Sequence, residues 1–438
     1  MEKLVKFITL GCKVNQYETN GMIQKFLEKG YTVIDENSKN HEKTPDICVI
    51  NTCTVTNMSD RKSRQMLRKV KDENPETLVV AVGCYAQVAK EELNKISEID
   101  LVLGNNEKIN IVEIIEEYLN KSLKSVEIED VMRTKEFVDF GNITFTEKTR
   151  AVIKIQDGCD RFCSYCIIPY ARGRVRSRRP ESIIDEINKI SEQGIKEVVI
   201  TGIHIASYGK DFKEDYKLID LLEEINKIDG IQRIRLGSIE PLLITEEFLN
   251  RLSKLEKICH HFHLSLQSGC DETLNRMNRR YNTSQFKEIV KLLRDTYEDV
   301  NLTTDIIVGF PGETEEEFGK TYKFLKNIKF YKMHIFKYSP RKGTKAAEMK
   351  EQVPGNIKEE RSKRLLELSD KNQINFNKTY IGKEVEVLFE ENKNEYYKGH
   401  TANYVMVYCK SNSELENKIK TVKCKEIIGN NVLADILK

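Results

Sequence analysis

The sequence predicts a three-part α/β protein: a doubly wound parallel sheet, a partial (β/α)6 barrel and a small antiparallel β-barrel. Apolar strands alternate with helices from the start of the chain, the alternation restarts after residue 149, and period-two strands replace it near the C-terminus. A length of 438 residues fits about three domains. We expect domains at 1–120, 149–375 and 376–438, with a linker at 121–148.

The composition is typical of a soluble globular protein. Hydrophobic residues make up 39% of the chain and charged residues 32%, and no apolar run approaches the roughly 18 residues of a membrane-spanning helix. The first residues lack the apolar core of a signal peptide, so the 11 cysteines are expected to be reduced thiols in the cytoplasm. A net charge of only +2 means that nucleic acid could be bound only through local basic patches.

In the first domain a cysteine follows each of three predicted strands. Cys12 follows the strand at 6–10, Cys53 follows the strand at 47–51, and Cys84 follows the strand at 78–82. The C-terminal ends of parallel strands share one edge of a doubly wound, flavodoxin-like sheet, so these distant cysteines are expected to converge. Each cysteine alone could be a buried small hydrophobe. Together they predict a three-thiolate metal site.

The second domain contains a much tighter cysteine group. Barrel strands are predicted at 151–155, 197–201, 233–237, 261–266, 301–308 and 332–338. Cys159, Cys163 and Cys166 follow the first strand in C-x3-C-x2-C spacing, on the working face of such a barrel. Three thiolates leave one coordination position open, which favours an iron–sulfur cluster with one accessible iron. A zinc site remains the alternative.

Two basic stretches could meet a polyanion. Five arginines follow the cysteine loop with no acidic residue between them: Arg172, Arg174, Arg176, Arg178 and Arg179. A helix predicted at 59–71 carries a second basic face. The fork of an arginine side chain suits phosphate oxygens, so these stretches favour nucleic acid as the partner. The alternative is a solvated charged loop.

The last sixty residues change to a strand pattern. Short strands are predicted at 384–389, 396–400, 403–408, 420–424 and 432–434. Five such strands indicate a small OB-like antiparallel barrel, a fold that often binds RNA. A plain packing or dimerisation domain would show the same pattern.

The cysteine loop after the first barrel strand resembles that of the radical S-adenosylmethionine (SAM) enzymes. In that family the free iron chelates SAM, and an electron then releases a 5′-deoxyadenosyl radical. The resemblance implies that Cys159, Cys163 and Cys166 hold one [4Fe-4S] cluster. By position it also implies SAM contacts from Tyr165, Thr201, Gly202, Ser238, Glu240, Asp305 and Gly309.

The C-terminal strands resemble a TRAM domain, and the order of the three parts is similar to the methylthiotransferases along almost the whole chain. The matching segments are Gly-Cys-Lys-Val-Asn at 11–15, Asn-Thr-Cys-Thr-Val-Thr at 51–56, Gly-Cys-Tyr-Ala-Gln at 83–87 and Cys-Ile-Ile-Pro-Tyr-Ala-Arg-Gly at 166–173. The resemblance implies a second [4Fe-4S] cluster, held by Cys12, Cys53 and Cys84, that delivers the sulfur.

Within that family the sequence resembles the branch acting on N6-threonylcarbamoyladenosine beside the tRNA anticodon. Its segments are Thr-Leu-Gly-Cys-Lys-Val-Asn at 9–15 and Thr-Val-Thr at 54–56. The isopentenyladenosine branch usually has Arg and Glu where Thr56 and Val175 stand, and the ribosomal-protein branch has a different N-terminal signature. The implied reaction adds a methylthio group to C2 of the adenine, converting t6A to ms2t6A.

The resemblance also implies partners. The arginine run and the TRAM barrel would grip the anticodon arm of tRNA, and a low-potential donor such as flavodoxin or ferredoxin would supply electrons. A cytoplasmic monomer without membrane contact is expected. The alternatives are methylthiolation of isopentenyladenosine or of a ribosomal protein, and, outside the family, a zinc-binding RNA module without catalysis.

Overall fold

The structure is a computed structural model that describes residues 3–34, 43–123, 125–143, 149–393 and 395–437. Six residues of the predicted linker, 124 and 144–148, lie outside the described residues. Within the described ranges, no helix has both the length and the apolar character needed to cross a membrane.

The N-terminal domain is a five-stranded parallel sheet in the order β2-β1-β3-β4-β5. This order confirms the doubly wound, flavodoxin-like prediction. The strands are β1 Leu4–Thr9, β2 Thr32–Ile34, β3 Ile47–Thr52, β4 Leu78–Gly83 and β5 Leu101–Val102. The helices are α1 Lys13–Glu28, α2 Asn57–Glu73, α3 Cys84–Val88, α4 Lys90–Leu93 and α5 Ile111–Leu119. The sequence did not predict β2 and β5, because two or three residues are too few to show a period.

Helices cover both faces of this sheet, which explains why β3 and β4 are apolar throughout. Every residue of both strands is buried. Side chains that alternate along a strand enter two different cores. One core joins Val49, Val80 and Val82 to residues of α1 and α5, and the other joins Cys48, Ile50, Val79 and Ala81 to residues of α2. The continuous apolar runs therefore encode a central position in the sheet.

The central domain consists of two four-stranded sheets, in the orders β7-β6-β8-β9 and β10-β11-β12-β13. All six strands predicted for it are present, which confirms the partial barrel. The strands are β6 Arg150–Asp157, β7 Arg176–Ser177, β8 Glu197–Gly202, β9 Arg233–Leu236, β10 Ser238–Ile239, β11 His261–Gln267, β12 Asn301–Val308 and β13 Lys332–Lys337. β13 pairs only with β12 in the described part of the chain, so the barrel is open at β13.

Helices surround the barrel strands, and a single large apolar core joins the two layers. The helices are α6 Ile168–Arg172, α7 Pro180–Glu192, α8 Leu218–Asn226, α9 Glu246–Leu252, α10 Asp271–Arg276, α11 Thr283–Thr296, α12 Glu315–Ile328, α13 Lys345–Glu348 and α14 Gly355–Lys378. Capping boxes begin α11 and α12: Asn282 accepts from the amide of Gln285, and Thr314 accepts from the amide of Glu317.

The C-terminal domain is a closed barrel in the order β14-β15-β16-β18-β17. Its strands are β14 Glu384–Lys393, β15 Tyr396–Thr401, β16 Met406–Lys410, β17 Ile419–Ile428 and β18 Asn431–Ile436. The small barrel is thus confirmed, with one difference: β16 and β18 pair in parallel. The strand predicted at 403–408 is also shorter, because Tyr404 has a φ of 72° and lies in the turn between β15 and β16.

Tyr404 anchors the C-terminal barrel against the central barrel. Its ring stacks between His261 and His400, with centroid distances of 4.7 and 4.4 Å. The guanidinium groups of Arg150 and Arg235 lie over the same ring. His261 and Arg150 are the first residues of β11 and β6. The C-terminal domain therefore closes the end of the central barrel opposite the cysteine loop.

Replacing Tyr404 with Ala should loosen this junction. The change removes two stacked ring contacts and two cation–π contacts, and loss of a packed aromatic side chain typically costs about 3 kcal/mol. Hydrogen exchange should become faster in β15 and β16 and remain unchanged in β3 and β4. Tyr396→Ala is the matched control, because the Tyr396 ring contacts Tyr408 within the same small barrel. Equal exchange in both variants would contradict the anchoring role.

Candidate active site

The C-x3-C-x2-C loop is held in place by backbone contacts. The amide of Cys159 donates to the carbonyl of Gly173 over 3.0 Å, and that of Ser164 donates to the carbonyl of Met277 over 3.1 Å. Gly158 begins the loop with a φ of +71°, and a Cβ there would lie 1.7 Å from the carbonyl oxygen of Arg174. Only glycine fits this close approach of two backbone segments.

A side-chain latch fastens the same loop to the segments that follow β8 and β10. Arg161, which lies within the loop, forms an ion pair with Glu240 just after β10. The imidazole Nε2 of His204 lies 2.7 Å from Glu240 Oε2, and its Nδ1 lies 2.8 Å from Ser207 Oγ. Glu240, predicted from the sequence to contact SAM, therefore also fixes the position of the cysteine loop.

The three thiols of this loop lie close enough to influence one another. Burial raises the pKa of Cys159 to about 11 and that of Cys166 to about 12, and the neighbouring Cys163 acts in the same direction on both. Thiols with such pKa values remain protonated at neutral pH unless a metal replaces the proton. The guanidinium of Arg279 donates to Cys163 Sγ over 3.3 Å. A hydrogen bond of this kind stabilises a thiolate.

The structure brings the second cysteine trio together at the edge of the N-terminal sheet. Cys12 precedes α1, Cys53 follows β3, and Cys84 begins α3 directly after β4. A Cβ on Gly11 would lie 2.8 Å from Cys53 Sγ, which requires glycine at that φ of +104°. Burial raises the pKa of Cys53 to about 11, and Cys84 and Cys12 add to the shift. The three sulfurs therefore share one small region.

Arg172 connects this trio to the central barrel. Its Nε donates to Cys84 Sγ over 3.1 Å, and its Nη2 donates to Asn15 Oδ1 over 2.7 Å. It also pairs with Glu18 of α1 and with Asp157 at the end of β6. The Arg172 side chain has no exposed surface. One buried guanidinium thus contacts both domains and a cysteine sulfur.

Further buried ions complete this network. Glu18 accepts from Lys108 over 2.6 Å and from Lys154 over 2.7 Å. Burial opposes ionisation of Glu18, but Arg172, Lys108 and Lys154 outweigh it and hold the pKa of that carboxyl well below its usual range. Lys154 and Arg172 likewise lower the pKa of Asp157 to about 2 against the effect of burial. Both carboxylates are therefore ionised at neutral pH.

The structure corrects the RNA prediction for three of the five arginines. The side chains of Arg172, Arg176 and Arg178 are almost completely buried. Arg178 pairs with Glu186 and Asp139, and Arg176 donates to the carbonyl of Arg172. They cannot contact phosphates without opening the domain interface. Of the run, only Arg174 and Arg179 have side chains that are more than half exposed.

One cavity of about 920 Å³ connects the two cysteine groups. Its wall includes Cys12 of the first trio and all of Cys159, Cys163 and Cys166. The predicted SAM contacts Tyr165, Thr201, Gly202, Ser238, Glu240 and Asp305 also line it. Gly309 does not, because it packs against the Lys358 side chain and its amide donates to Glu313. The prediction that Gly309 contacts SAM is therefore not supported by its position.

The spacing of the sulfurs distinguishes a cluster from a single ion. Thiolates bound to one zinc ion lie about 3.8 Å apart, because each Zn–S bond is about 2.3 Å long. In the described part of the chain, only His263, Asp305 and His334 bring three candidate ligand atoms within 4.8 Å of one another. Neither cysteine trio is that compact. Three thiolates on one zinc ion would therefore require the sulfurs of either trio to move closer together.

The His263, Asp305 and His334 group was not predicted. From the sequence Asp305 was expected to contact SAM, and nothing singled out His334. The usable signal was the period of two in the predicted strands, which places residues 263, 305 and 334 on the inner face of the barrel. Their contact across three strands depends on register, which the sequence does not specify.

Comparison with known proteins identifies the family. Residues 4–104 match the uncharacterized protein family UPF0004, and residues 153–325 match the radical SAM superfamily. The chain is 41% identical to the threonylcarbamoyladenosine tRNA methylthiotransferase MtaB of Bacillus subtilis, over 96% of this chain and 93% of that protein. The chain belongs to the tRNA methylthiotransferase family. The protein of the same name from Aquifex aeolicus is 44% identical over 89% of this chain and 93% of its own length.

Methylthiotransferases named for a different adenosine are also similar to this chain. The tRNA-2-methylthio-N6-dimethylallyladenosine synthase of Protochlamydia amoebophila is 34% identical over 100% of this chain and 97% of its own length. Among solved structures, the radical SAM methyltransferase TsrM from Kitasatospora setae, with cobalamin and a [4Fe-4S] cluster bound, has a TM-score of 0.55. It is 18% identical and covers 78% of this chain and 77% of its own, so it shows the likeness of the fold.

We expect Arg172→Met to weaken the contact between the first two domains of this methylthiotransferase. The change leaves Glu18 and Asp157 buried without their shared partner, and breaking a buried ion pair costs about 3–5 kcal/mol. The measurement is urea unfolding of the metal-free protein, followed by hydrogen exchange in α1 and β6. Arg174→Met is the control, because that exposed residue should change the stability by no more than about 0.5 kcal/mol. Equal effects of the two substitutions would argue against the network.

Proposed function

We propose that this protein replaces the C2 hydrogen of N6-threonylcarbamoyladenosine in tRNA with a methylthio group. The observation that carries the proposal is the cavity that joins two separate three-cysteine sites. One site would serve hydrogen abstraction and the other sulfur delivery, and both must reach the same carbon. The similarity to relatives named for this nucleoside supports the choice of substrate.

The chemistry requires a radical. The C2–H bond of adenine is unactivated, and no side-chain base can remove that hydrogen at neutral pH. When bound, a [4Fe-4S] cluster with SAM supplies a 5′-deoxyadenosyl radical that can abstract it. Cys159, Cys163 and Cys166 would hold that cluster, and a low-potential donor such as flavodoxin or ferredoxin would reduce it. The latch formed by Arg161, Glu240 and His204 would keep the cysteine loop fixed during this step.

SAM would lie along the wall made by β8 and β10. Thr201 and Gly202 end β8, and Ser238 begins β10, so all three line the cavity on that side. Tyr165 is in the cysteine loop itself, with its ring edge-on to that of Phe310. These residues would orient the SAM molecule, while the C-terminal barrel, which closes the far end of the chamber, would limit entry of water.

The second cluster would be held by Cys12, Cys53 and Cys84. A thiolate-ligated cluster carries negative charge, which is costly to bury unless cations lie nearby. The buried network supplies them, since Lys108, Lys154, Arg172 and Arg176 surround only two carboxylates, Glu18 and Asp157. Arg172 would also donate its hydrogen bond to the thiolate of Cys84. This charge balance supports a metal cluster rather than three free thiols.

The tRNA contact would involve an exposed surface beside the cavity mouth. Tyr170 is 46% exposed, and its ring meets that of Phe162 edge-on at 5.9 Å. The guanidinium of Arg174 lies 4.8 Å from the centre of the Phe162 ring. Aromatic and guanidinium planes of this kind stack unpaired RNA bases. Arg61 and Lys62, on the exposed side of α2 near Cys53, would meet phosphates.

Iron analysis tests the two metal sites separately. After anaerobic reconstitution, the parent protein should contain about eight irons per chain, as two four-iron clusters require. The Cys12→Ala, Cys53→Ala, Cys84→Ala variant should retain about four, and so should the variant lacking Cys159, Cys163 and Cys166. A control without Cys48, Cys259 and Cys424 should retain about eight. Eight irons in either of the first two variants, or stoichiometric zinc in the parent, would refute the assignment.

Nucleoside analysis tests the reaction. The protein should be expressed in a bacterial strain whose tRNA contains N6-threonylcarbamoyladenosine but not its methylthio derivative. Mass spectrometry of digested tRNA should then detect 2-methylthio-N6-threonylcarbamoyladenosine, which should be absent with either triple-cysteine variant. Detection of a methylthio group only on dimethylallyladenosine would show that the substrate assignment is wrong.

A further inference from the structure

Three neighbouring strands present a polar wall to the cavity. Side chains that alternate along each strand point into the barrel. They are His261, His263, Ser265 and Gln267 on β11, Thr303 and Asp305 on β12, and Lys332, His334 and Phe336 on β13. Because β13 is the open edge of the barrel, its three cavity-lining side chains are exposed. We call these nine residues the polar wall.

The centre of the polar wall has a defined geometry. Thr303 pairs with Lys332 and Asp305 with His334 across β12 and β13. The Nε2 atom of His263 lies 3.1 Å from Asp305 Oδ2, and its Nδ1 lies 3.0 Å from Thr303 Oγ1. Both nitrogens of His263 are thus engaged by the wall itself. The exposed Lys332 and His334 remain the groups that are directed at the cavity.

Lys332 differs from the other cations of the cavity. Its ammonium group has no hydrogen-bond or ion-pair partner among the described residues. By contrast, Arg150 pairs with Glu390, Arg161 with Glu240, and Arg235 with Glu197. On the outer face of the same strand, Lys337 forms an ion pair with Glu359. The exposed ammonium of Lys332 is therefore free to pair with an anion from outside the chain.

The end of the polar wall at Ser265 lies close to the cysteine loop. Arg279 donates to Cys163 Sγ over 3.3 Å and to the carbonyl of Ser265 over 3.0 Å. Ser265 is two residues beyond His263 on β11, a rise of about 7 Å along a strand. A molecule that reaches from the cysteine loop to His263 therefore needs to be only a few bonds longer than one aromatic ring.

The local charge favours an anionic ligand over a metal ion. His263, Asp305 and His334 alone could hold a divalent cation, since their ligand atoms lie within 4.8 Å of one another. However, partial burial lowers the pKa of His334, and His263 and the Lys332 ammonium act in the same direction against the effect of Asp305. A fixed positive charge beside the three ligands opposes a cation and attracts a carboxylate.

We propose that the polar wall binds the threonylcarbamoyl substituent of the substrate nucleoside. Lys332 and His334 donate to its carboxylate, and Asp305 accepts from its ureido N–H. This assignment rests on the proposed function, and it moves Asp305 from the SAM contacts to the substrate contacts. His263 positions Asp305 through their hydrogen bond.

The polar wall would also account for discrimination between substrates. A dimethylallyl group has no hydrogen-bonding atoms, so binding it here would displace water from Lys332 and Asp305 without supplying new hydrogen bonds. Sites built to hydrogen-bond a substrate reject analogues that lack the polar group far more strongly than apolar pockets reject a change of size. The wall therefore favours the threonylcarbamoyl nucleoside among the adenosines for which similar proteins are named.

Binding of short RNA hairpins tests this assignment. Fluorescence anisotropy with the reconstituted protein, without turnover, would compare anticodon hairpins that carry threonylcarbamoyladenosine or plain adenosine at the target position. The parent should prefer the modified hairpin. Lys332→Gln should reduce that preference about tenfold, and the Lys332→Gln, His334→Phe pair about a hundredfold. The affinity for the plain hairpin should stay within about twofold. Lys337→Gln, on the outer face of β13, is the matched control and should leave both affinities unchanged.

Three results would overturn the assignment. Variants that keep the preference, or that lose affinity for both hairpins equally, would refute the polar wall alone, provided that the parent still forms the methylthiolated threonylcarbamoyl nucleoside. A metal bound beyond the cluster irons in the parent, and lost in His334→Phe, would show that the wall holds a cation. A parent that modifies only dimethylallyladenosine would overturn the proposed function and this assignment together.

Discussion

The buried ion network around Arg172 is the constraint on which the rest of the structure depends. It joins α1 of the first domain to β6 and α6 of the second, and so fixes how far apart the two cysteine trios lie. Buried ion pairs are weak contributors to stability compared with apolar contacts of similar volume. The proposed thiolate-bound cluster would account for them, because a surplus of buried cations beside Cys84 would lower the cost of placing its negative charge between two domains.

The same contact between the first two domains helps to form the cavity. The central barrel is open along β13, the first domain places Cys12 in the wall of its cavity, and the C-terminal barrel closes its opposite end through Tyr404. A reactive carbon radical needs a site with few competing hydrogen donors, and closure at one end serves that purpose. The aromatic surface of Tyr170 and Phe162 would suit an extruded nucleotide, because such rings stack unpaired bases.

The placement of the cysteines at strand ends could be predicted because it depends on local rules. Each of Cys53, Cys84 and Cys159 follows closely after a buried strand, and parallel strands place such residues at one edge. The arginine run was misjudged because its burial depends on how other elements of the fold pack against it: Glu18 of α1, for example, lies 154 residues before Arg172. Lys332 and His334 could be placed on one strand face, but their contact with His263 depends on register across three strands.

The burial of those arginines also changes how substrate recognition is understood. A chain with a net charge of +2 that keeps Arg172, Arg176 and Arg178 in its interior has fewer cations available to attract phosphates than the arginine run alone suggests. Backbone phosphates are common to all tRNA molecules, so contacts to them position the RNA without selecting it. Selection must then occur at the nucleoside. The unpaired Lys332, on the cavity side of β13, is the group that we propose provides it, because a substrate with its own carboxylate gains an ion pair there that an uncharged substrate cannot form.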